Sequence, residues 1–180
     1  MVDCDIGGWI YLGNDFERYV LGEPKQENLL IFGVNPSKAV PNNLDPTMKN
    51  IKKIIEEHKD YKDCGYIMMN LFPQRTSNPE ELKDNPALLE NNIKILEVIV
   101  KTFNVKKIWC AWGDAIDIPN ARKFLIESLK KIYKTLEKGN YEWICYGETT
   151  NGNPRHPCPR NPKLISFDWP FEKFEIEGYL

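Results

Sequence analysis

Two asparagines and one histidine are the residues whose positions in this sequence point most clearly to chemistry. Asn35 and Asn70 each follow an apolar run, and His156 lies in a proline-rich loop. Pro36 fixes its own φ and keeps Asn35 on extended backbone, which suits a side chain that must position something. Gly-x-Asn-Pro is also ordinary turn chemistry, so this motif alone does not separate a binding site from a simple strand exit.

Apolar runs bounded by turn residues predict the strands that would position these side chains. Four such runs follow one another along the chain, at 29–33, 64–69, 105–112 and 141–146. Patterns with helical spacing separate them; two of these begin with a capping residue and proline, Asp45-Pro46 and Asn85-Pro86, and the third covers about 119–138. Strands that alternate with helices indicate right-handed crossovers and a parallel sheet covered on both faces.

The predicted fold class is therefore α/β, a three-layer α/β/α sandwich with a central, mostly parallel four-stranded sheet. We expect residues 1–180 to form one domain, with an N-terminal hairpin at about 8–21 and a core at about 28–165. Ligands of open α/β sheets bind outside the carboxyl ends of the strands. Asn35 would lie at such an end.

The overall charge does not favour binding to nucleic acid, because the net charge is −2 and the isoelectric point is near 5.8. A local basic patch would have to make any contact with DNA. The segment 151–163 contains basic residues and no acid, and Arg75 follows shortly after Asn70. The candidate DNA-binding residues are Arg75, Arg155, Arg160 and Lys163.

Five cysteines, an odd number with no Cys-x-x-Cys pair, predict reduced thiols rather than a disulfide framework or a zinc site. The sequence has no apolar run long enough to span a membrane, and its first residues do not resemble a signal peptide. We therefore expect a cytoplasmic monomer that needs no metal, no cofactor and no membrane.

Motifs at the predicted strand ends resemble those of the uracil-DNA glycosylase superfamily. The segment 32–36, Phe-Gly-Val-Asn-Pro, is similar to the first motif of its mismatch-specific and single-strand-selective branches. The segment 156–162, His-Pro-Cys-Pro-Arg-Asn-Pro, is similar to the second motif of the single-strand-selective branch, with Cys158 where serine is usual. Asn70 resembles the asparagine that reads the base, and Trp112-Gly113 resembles the Trp-Gly strand end.

More narrowly, the chain resembles a small bacterial and phage family known as domain of unknown function 1643. Short segments distributed along the chain carry this resemblance, and the family implies no known activity. These segments are Arg18-Tyr19, Asn35-Pro36-Ser37, Asp45-Pro46-Thr47, Asn70-Leu71-Phe72, Trp112-Gly113 and Arg155-His156-Pro157.

The glycosylase resemblance implies hydrolysis of the N-glycosidic bond of uracil or another modified base, in single-stranded DNA or in a flipped-out nucleotide. It would make Asn35 and His156 catalytic: Asn35 would hold the attacking water and His156 would donate to the leaving base. Asn70 would match the imide edge of uracil. The remaining candidate substrate contacts are Gly33, Pro36, Ser37, Phe72 and Cys158. Phe72 or Tyr66 would have to stack on the base, since the loop after Asn35 has no aromatic residue.

Two other classes of function stay open at this point. The same pocket could bind a free nucleobase, a nucleotide or DNA without turnover. Alternatively, Cys158 could act as a thiol nucleophile beside His156, although a spacing of two residues in a proline-locked loop makes their mutual hydrogen bond awkward. Whether the protein is an enzyme is therefore not decided by its sequence.

Overall fold

The chain forms eight strands and four α-helices in the computed structural model, which describes residues 3–158 and 169–180, with residues 3–6 described by their backbone alone. The strands are β1 (Asp3–Ile6), β2 (Trp9–Gly13), β3 (Arg18–Glu23), β4 (Asn28–Gly33), β5 (Gly65–Asn70), β6 (Val105–Cys110), β7 (Trp143–Cys145) and β8 (Glu172–Lys173). The helices are α1 (Pro46–Glu57), α2 (Pro86–Thr102), α3 (Arg122–Leu136) and α4 (Ile176–Tyr179).

All eight strands belong to one mixed sheet in the order β1-β2-β3-β5-β4-β6-β7-β8. The central strands β5, β4, β6 and β7 are parallel to one another. The sheet is larger than the predicted four strands. Three antiparallel strands, β1, β2 and β3, extend it on one side, and the antiparallel strand β8 extends it on the other. The hairpin of β2 and β3 was visible in the sequence, but its pairing with β5 was not.

Amphipathic helices cover both faces of the sheet. Leu30 and Phe32 of β4 join the cluster that contains the buried side chains of α2 and α3. Leu29 and Ile31, the alternating residues of the same strand, join the cluster that contains α1. The period of two along β4 therefore sends neighbouring side chains to opposite cores, and the predicted α/β class is confirmed.

The helix starts follow the capping signals of the sequence. Asp45 accepts a 3.0 Å hydrogen bond from the N–H of Met48, and Asn85 accepts one of 3.1 Å from the N–H of Ala87. The third helix begins at Arg122, later than predicted, because residues 119–121 form a turn after the 3-10 turn at Gly113–Asp117. Strand β6 ends at Cys110, earlier than predicted. No helix in the described ranges has the length and apolar character required to cross a membrane.

The parallel strands end in register, and this brings their following loops to one edge of the sheet. Gly33 pairs with Asn70, Phe32 pairs with Cys110, and Cys110 pairs with Cys145. The loops that carry Asn35, Trp112 and His156 thus leave the sheet beside the end of β5.

Candidate functional site at the carboxyl edge of the sheet

A cavity of about 790 Å³ lies at this edge and brings Asn35, Asn70 and His156 into one lining. Ser37 and Cys158 also line it. Its volume falls within the roughly 300–1,000 Å³ that is usual for small-molecule sites. Residues far apart in the sequence thus meet around one space.

The side-chain amide of Asn35 is anchored at one end. Its Nδ2 donates hydrogen bonds to the backbone carbonyls of Thr76, at 2.8 Å, and Pro36, at 3.1 Å. The backbone N–H of Thr76 in turn donates to the same Pro36 carbonyl at 3.0 Å. With both amide hydrogens engaged, the carbonyl oxygen Oδ1 is the atom of Asn35 that is left to accept from a ligand or a water.

Asn70 presents a buried amide that has no hydrogen-bond partner within the described ranges. The residue is 1% exposed, and both Nδ2 and Oδ1 lack a partner. Gly33 lies beside it: a Cβ on Gly33 would be 3.0 Å from Asn70 Oδ1 and 2.9 Å from Cε of Met68, so a larger residue would require these side chains to shift. Buried polar groups are normally paired, and an unpaired amide that lines a cavity therefore indicates a ligand.

The imidazole of His156 is held in one tautomer. Its Nδ1 accepts a 3.1 Å hydrogen bond from the backbone N–H of Cys158 and so carries no proton, which places the hydrogen of the neutral ring on Nε2. Asn50 of α1 supports the loop by donating to the carbonyl of Pro157 at 2.7 Å. Gly113 has φ +59°, and a Cβ there would be 2.9 Å from Cβ of His156, so glycine allows the loop to pass closely.

A polar network behind Trp112 supports the wall of the cavity. Trp112 lines the cavity and donates from Nε1 to the hydroxyl of Tyr179 at 3.1 Å. The Tyr179 hydroxyl donates to Oδ1 of Asn153, whose Nδ2 donates to Asp114 at 2.8 Å and to Asp117 at 2.7 Å. Burial raises the pKa of Tyr179 to about 12, so the hydroxyl keeps its proton at neutral pH.

Asp114 also lines the cavity, and its hydrogen bonds commit it to the ionised form. Burial works to raise its pKa, but hydrogen bonds from Thr149, Asn153 and Asn151 and the charge of Arg155 together hold the pKa below its ordinary value. The Thr149 hydroxyl donates to Asp114 Oδ1 at 2.6 Å. Asp114 is not among the predicted site residues, because nothing local marks an acid after a Trp-Gly pair as part of a site.

Three of the predicted substrate contacts lie outside the lining. Phe72 is fully buried in the core, with its ring centroid 5.0 Å from that of Phe124, and it does not face the cavity. Pro36 is buried beneath Asn35, and Gly33 lies beside the Asn70 amide. The latter two shape the site through their backbones.

The four predicted DNA contacts are placed in different ways. Arg75 lines a hollow of about 370 Å³, which shares Ser37, Lys38, Thr76 and Ser77 with the main cavity. Arg155 does not line the cavity; its guanidinium donates to the carbonyl of Glu148 at 2.7 Å and lies 5.2 Å from the ring centroid of Trp169. Arg160 and Lys163 fall outside the described residues.

Arg18 is a lining residue that the sequence analysis did not identify as functional. It is 2% exposed and donates from Nη1 to the carbonyl of Ala39 at 3.1 Å, while its Nε has no partner within residues 3–158 and 169–180. Burial lowers the pKa of Arg18 to about 10, so the side chain is charged at neutral pH. The signals in the sequence are the Arg18-Tyr19 segment of the family resemblance and a basic residue that begins β3 before the apolar residues Val20 and Leu21.

The cysteines give no sign of a redox or metal centre in the described part of the chain. Cys64, Cys110, Cys145 and Cys158 are free thiols. No group of three or more His, Cys, Asp or Glu side chains there could hold a metal ion. Cys158 contacts the imidazole of His156 through its backbone N–H.

Comparison with known proteins identifies a family but no activity. No curated protein matches the chain, and no solved structure does. The match that exists covers residues 18–158, which include every residue of the cavity lining named above. Since this match spans well over half of the chain, the protein belongs to the family described as Protein of unknown function (DUF1643).

Proposed function

We propose that this protein is a uracil-DNA glycosylase-like hydrolase, which cleaves the N-glycosidic bond of uracil or another modified base in single-stranded or flipped-out DNA. The observation that carries the proposal is the buried, unpartnered amide of Asn70 in a cavity that also contains Asn35 and His156. The motif resemblance to the glycosylase superfamily supports the same assignment.

A nucleobase is the ligand that best complements Asn70. The primary amide offers an acceptor, Oδ1, and a donor, Nδ2, side by side. The imide edge of uracil offers a donor and an acceptor in the matching order, whereas the corresponding edge of cytosine does not. An amide rotated by 180° would pair with cytosine instead, so discrimination requires that the site hold Asn70 in one orientation. The wrong base then leaves the amide desolvated without compensation.

The chemistry requires an oriented water and a donor to the leaving base. Cleavage passes through an oxocarbenium-like sugar, so a weak nucleophile is sufficient. Oδ1 of Asn35 would accept from the water that attacks C1′ of the sugar, while the C1′–N bond breaks and its electron pair moves onto the base. Nε2–H of His156 would donate to the base oxygen where negative charge develops. The attacking water keeps one hydrogen as the hydroxyl at C1′. Its other proton neutralises the base anion, so the products are the abasic sugar and the free base.

A second candidate is a module that binds a base or nucleotide without turnover. The observation that favours it is that two acids of the cavity already accept hydrogen bonds within the protein. Asp45 caps α1, and Asp114 accepts hydrogen bonds from Thr149 and Asn153. Glu80, a further acid of the lining, is exposed. A carboxylate that accepted a proton from the attacking water would speed hydrolysis. Asp45 and Asp114 already accept hydrogen bonds from the protein, which makes them poor acceptors for that proton.

The decisive experiment is an excision assay on a labelled single-stranded oligonucleotide with one uracil. Incubation with the protein followed by alkali should cut the strand at that position. Asn35→Ala and His156→Ala should each lower the rate by about two to three orders of magnitude. Asn43→Ala, an exposed asparagine outside the lining, and His58→Ala, the other histidine, are matched controls that should keep the wild-type rate.

The remaining outcomes separate the alternatives. Intact strand with uracil, hypoxanthine and mismatch substrates, together with measurable binding of a base or oligonucleotide, would support the non-catalytic module. Loss of cutting in Cys158→Ala but not in Asn35→Ala or His156→Ala would support thiol chemistry. If the protein shows no cutting and no binding, a nucleobase is not its ligand.

A further inference from the structure

Arg18 is a buried cation without a counter-ion in the described residues. It is 2% exposed, and no carboxylate forms an ion pair with it among those residues. Its Nη1 bonds to a neutral carbonyl, and its Nε bonds to nothing described. Buried charges in proteins are normally paired or bound to a ligand, because an isolated desolvated ion is strongly unfavourable. This guanidinium therefore needs an anion.

The nearby acid does not supply that anion. Asp45 is the carboxylate whose charge acts most favourably on Arg18, but it caps α1 through the N–H of Met48 at 3.0 Å. The neighbouring Arg75 acts in the opposite direction and adds positive charge. Arg18 lines the cavity together with Lys38 and the acids Asp45, Glu80 and Asp114. Of these three acids, Asp45 alone is among the charges that act on Arg18, and Arg75 opposes it.

Other groups around Arg18 also favour an anion. The amino end of α1, a helix of 12 residues, lines the cavity with Pro46, Thr47 and Met48, and the only acid at this end is its N-cap, Asp45. Lys38 lines the cavity as well as the adjoining hollow that contains Arg75. The main observation is that Arg18 is buried with an unpartnered Nε and without an ion pair among the described residues.

We propose that Arg18 forms an anion subsite of the cavity, and that the ligand is a nucleotide whose phosphate pairs with this guanidinium while its base lies against Asn70. The placement of the base rests on the proposed function, whereas the anion subsite does not. Guanidinium binds phosphate oxygens through parallel N–H bonds, and such charge-assisted pairs are stronger than neutral ones. A phosphate could come from a free nucleoside monophosphate or from a phosphodiester in a DNA strand.

The test compares wild type, Arg18→Met and a matched control by calorimetry and thermal unfolding. Arg122→Met removes an arginine that is exposed and does not line the cavity. The probes are inorganic phosphate, 2′-deoxyuridine, its 5′-monophosphate and a single-stranded trinucleotide with a central uracil. Wild type and Arg122→Met should bind the monophosphate at least about tenfold more tightly than the nucleoside, the gain expected for one charge-assisted hydrogen bond.

Arg18→Met should bind the monophosphate no more tightly than the nucleoside, and its affinity for the nucleoside should equal that of wild type. Its melting temperature without ligand should equal or exceed that of wild type, since methionine removes an unpaired buried charge. Inorganic phosphate should raise the melting temperature of wild type but not of Arg18→Met. Tighter binding of the trinucleotide than of the monophosphate, with the same loss in Arg18→Met, would identify the phosphodiester as the source.

The failure of this inference is distinct from the failure of the proposed function. If Arg18→Met binds phosphate and monophosphate as wild type does, the anion subsite is wrong even if uracil is excised. If uracil is not excised but phosphate binding depends on Arg18, the anion subsite stands without the glycosylase. If Arg18→Met fails to fold, equal stabilisation of wild type by phosphate and by chloride at matched ionic strength would overturn the subsite.

Discussion

The side chain of Asn92 donates a 2.9 Å hydrogen bond to the backbone carbonyl of Asn70 and so ties α2 to the end of β5. Asn92 is itself buried in a helix face that is otherwise apolar. A second, longer contact of 3.5 Å reaches the carbonyl of Leu71. The strand end that presents the Asn70 amide is thus fixed from the helical layer, on the side of the sheet opposite to α1.

Asn92→Ala should therefore disturb both stability and the site. Removal of the donor leaves the buried Asn70 carbonyl without this partner, which costs about 1–3 kcal/mol in the free energy of unfolding. Urea unfolding monitored by circular dichroism measures this loss. An exposed asparagine gives the control, because Asn43→Ala should change stability by less than about 0.5 kcal/mol. Equal stability of the two variants would contradict the role of Asn92.

Asn70→Leu should have the opposite effect on stability while removing base recognition. The native amide is buried without partners, so an apolar side chain in its place avoids a desolvation penalty of about 1–3 kcal/mol. We expect an unchanged or higher free energy of unfolding, measured in urea, together with loss of base binding in calorimetry. A destabilised variant that still binds the base would show that Asn70 has a structural role only.

The hydrogen bond at Nδ1 of His156 predicts which ring nitrogen is protonated. Because the N–H of Cys158 donates to Nδ1, the neutral ring should carry its hydrogen on Nε2. Nitrogen-15 chemical shifts of the imidazole distinguish the two tautomers directly. A proton on Nδ1 would contradict the geometry and would leave Nε2 unable to donate to a leaving base. His156→Gln, which keeps an amide donor, should retain more activity than His156→Ala.

Asp114 should contribute stability at neutral pH that disappears in acid. Its pKa in the folded protein lies below the ordinary value of 3.8, so the unfolded chain binds the proton more readily. The contribution is therefore present above pH 3.8 and is lost as the pH falls through the lowered pKa. Asp114→Asn should be less stable than wild type at pH 7 by less than about 1 kcal/mol, since the side chain is exposed. Denaturant midpoints should converge at low pH; a constant gap would contradict this assignment.

Local signals account for the parts of the fold that the sequence predicted. Asp45-Pro46 and Asn85-Pro86 mark helix starts because capping and a fixed φ act within a few residues. The strands β1 and β8 are four and two residues long, too short to produce a periodic pattern. The start of α3 was placed too early, since Ala121 provides no side-chain cap and the preceding 3-10 turn carries no distinctive residue.

The candidate site was predictable where it depends on strand ends. Asn35, Asn70 and His156 reach one cavity because loops after parallel strands share one edge of the sheet. Phe72 was misplaced because side-chain alternation stops where β5 ends at Asn70, so the face of a residue two positions later does not follow. Arg18 was missed because the burial of a charge depends on distant segments such as that of Ala39, which no local pattern reveals.

Because the loops after the parallel strands meet at one edge, the cavity is complete only when the last of these loops has been synthesised. The cavity takes residues from Arg18 to Cys158, and His156 arrives only after β7. A nascent chain on the ribosome that stops before this loop can pair β4 with β5 and contain both asparagines, yet it lacks the imidazole. The complete lining therefore forms only after residues 18–158 have emerged from the ribosome.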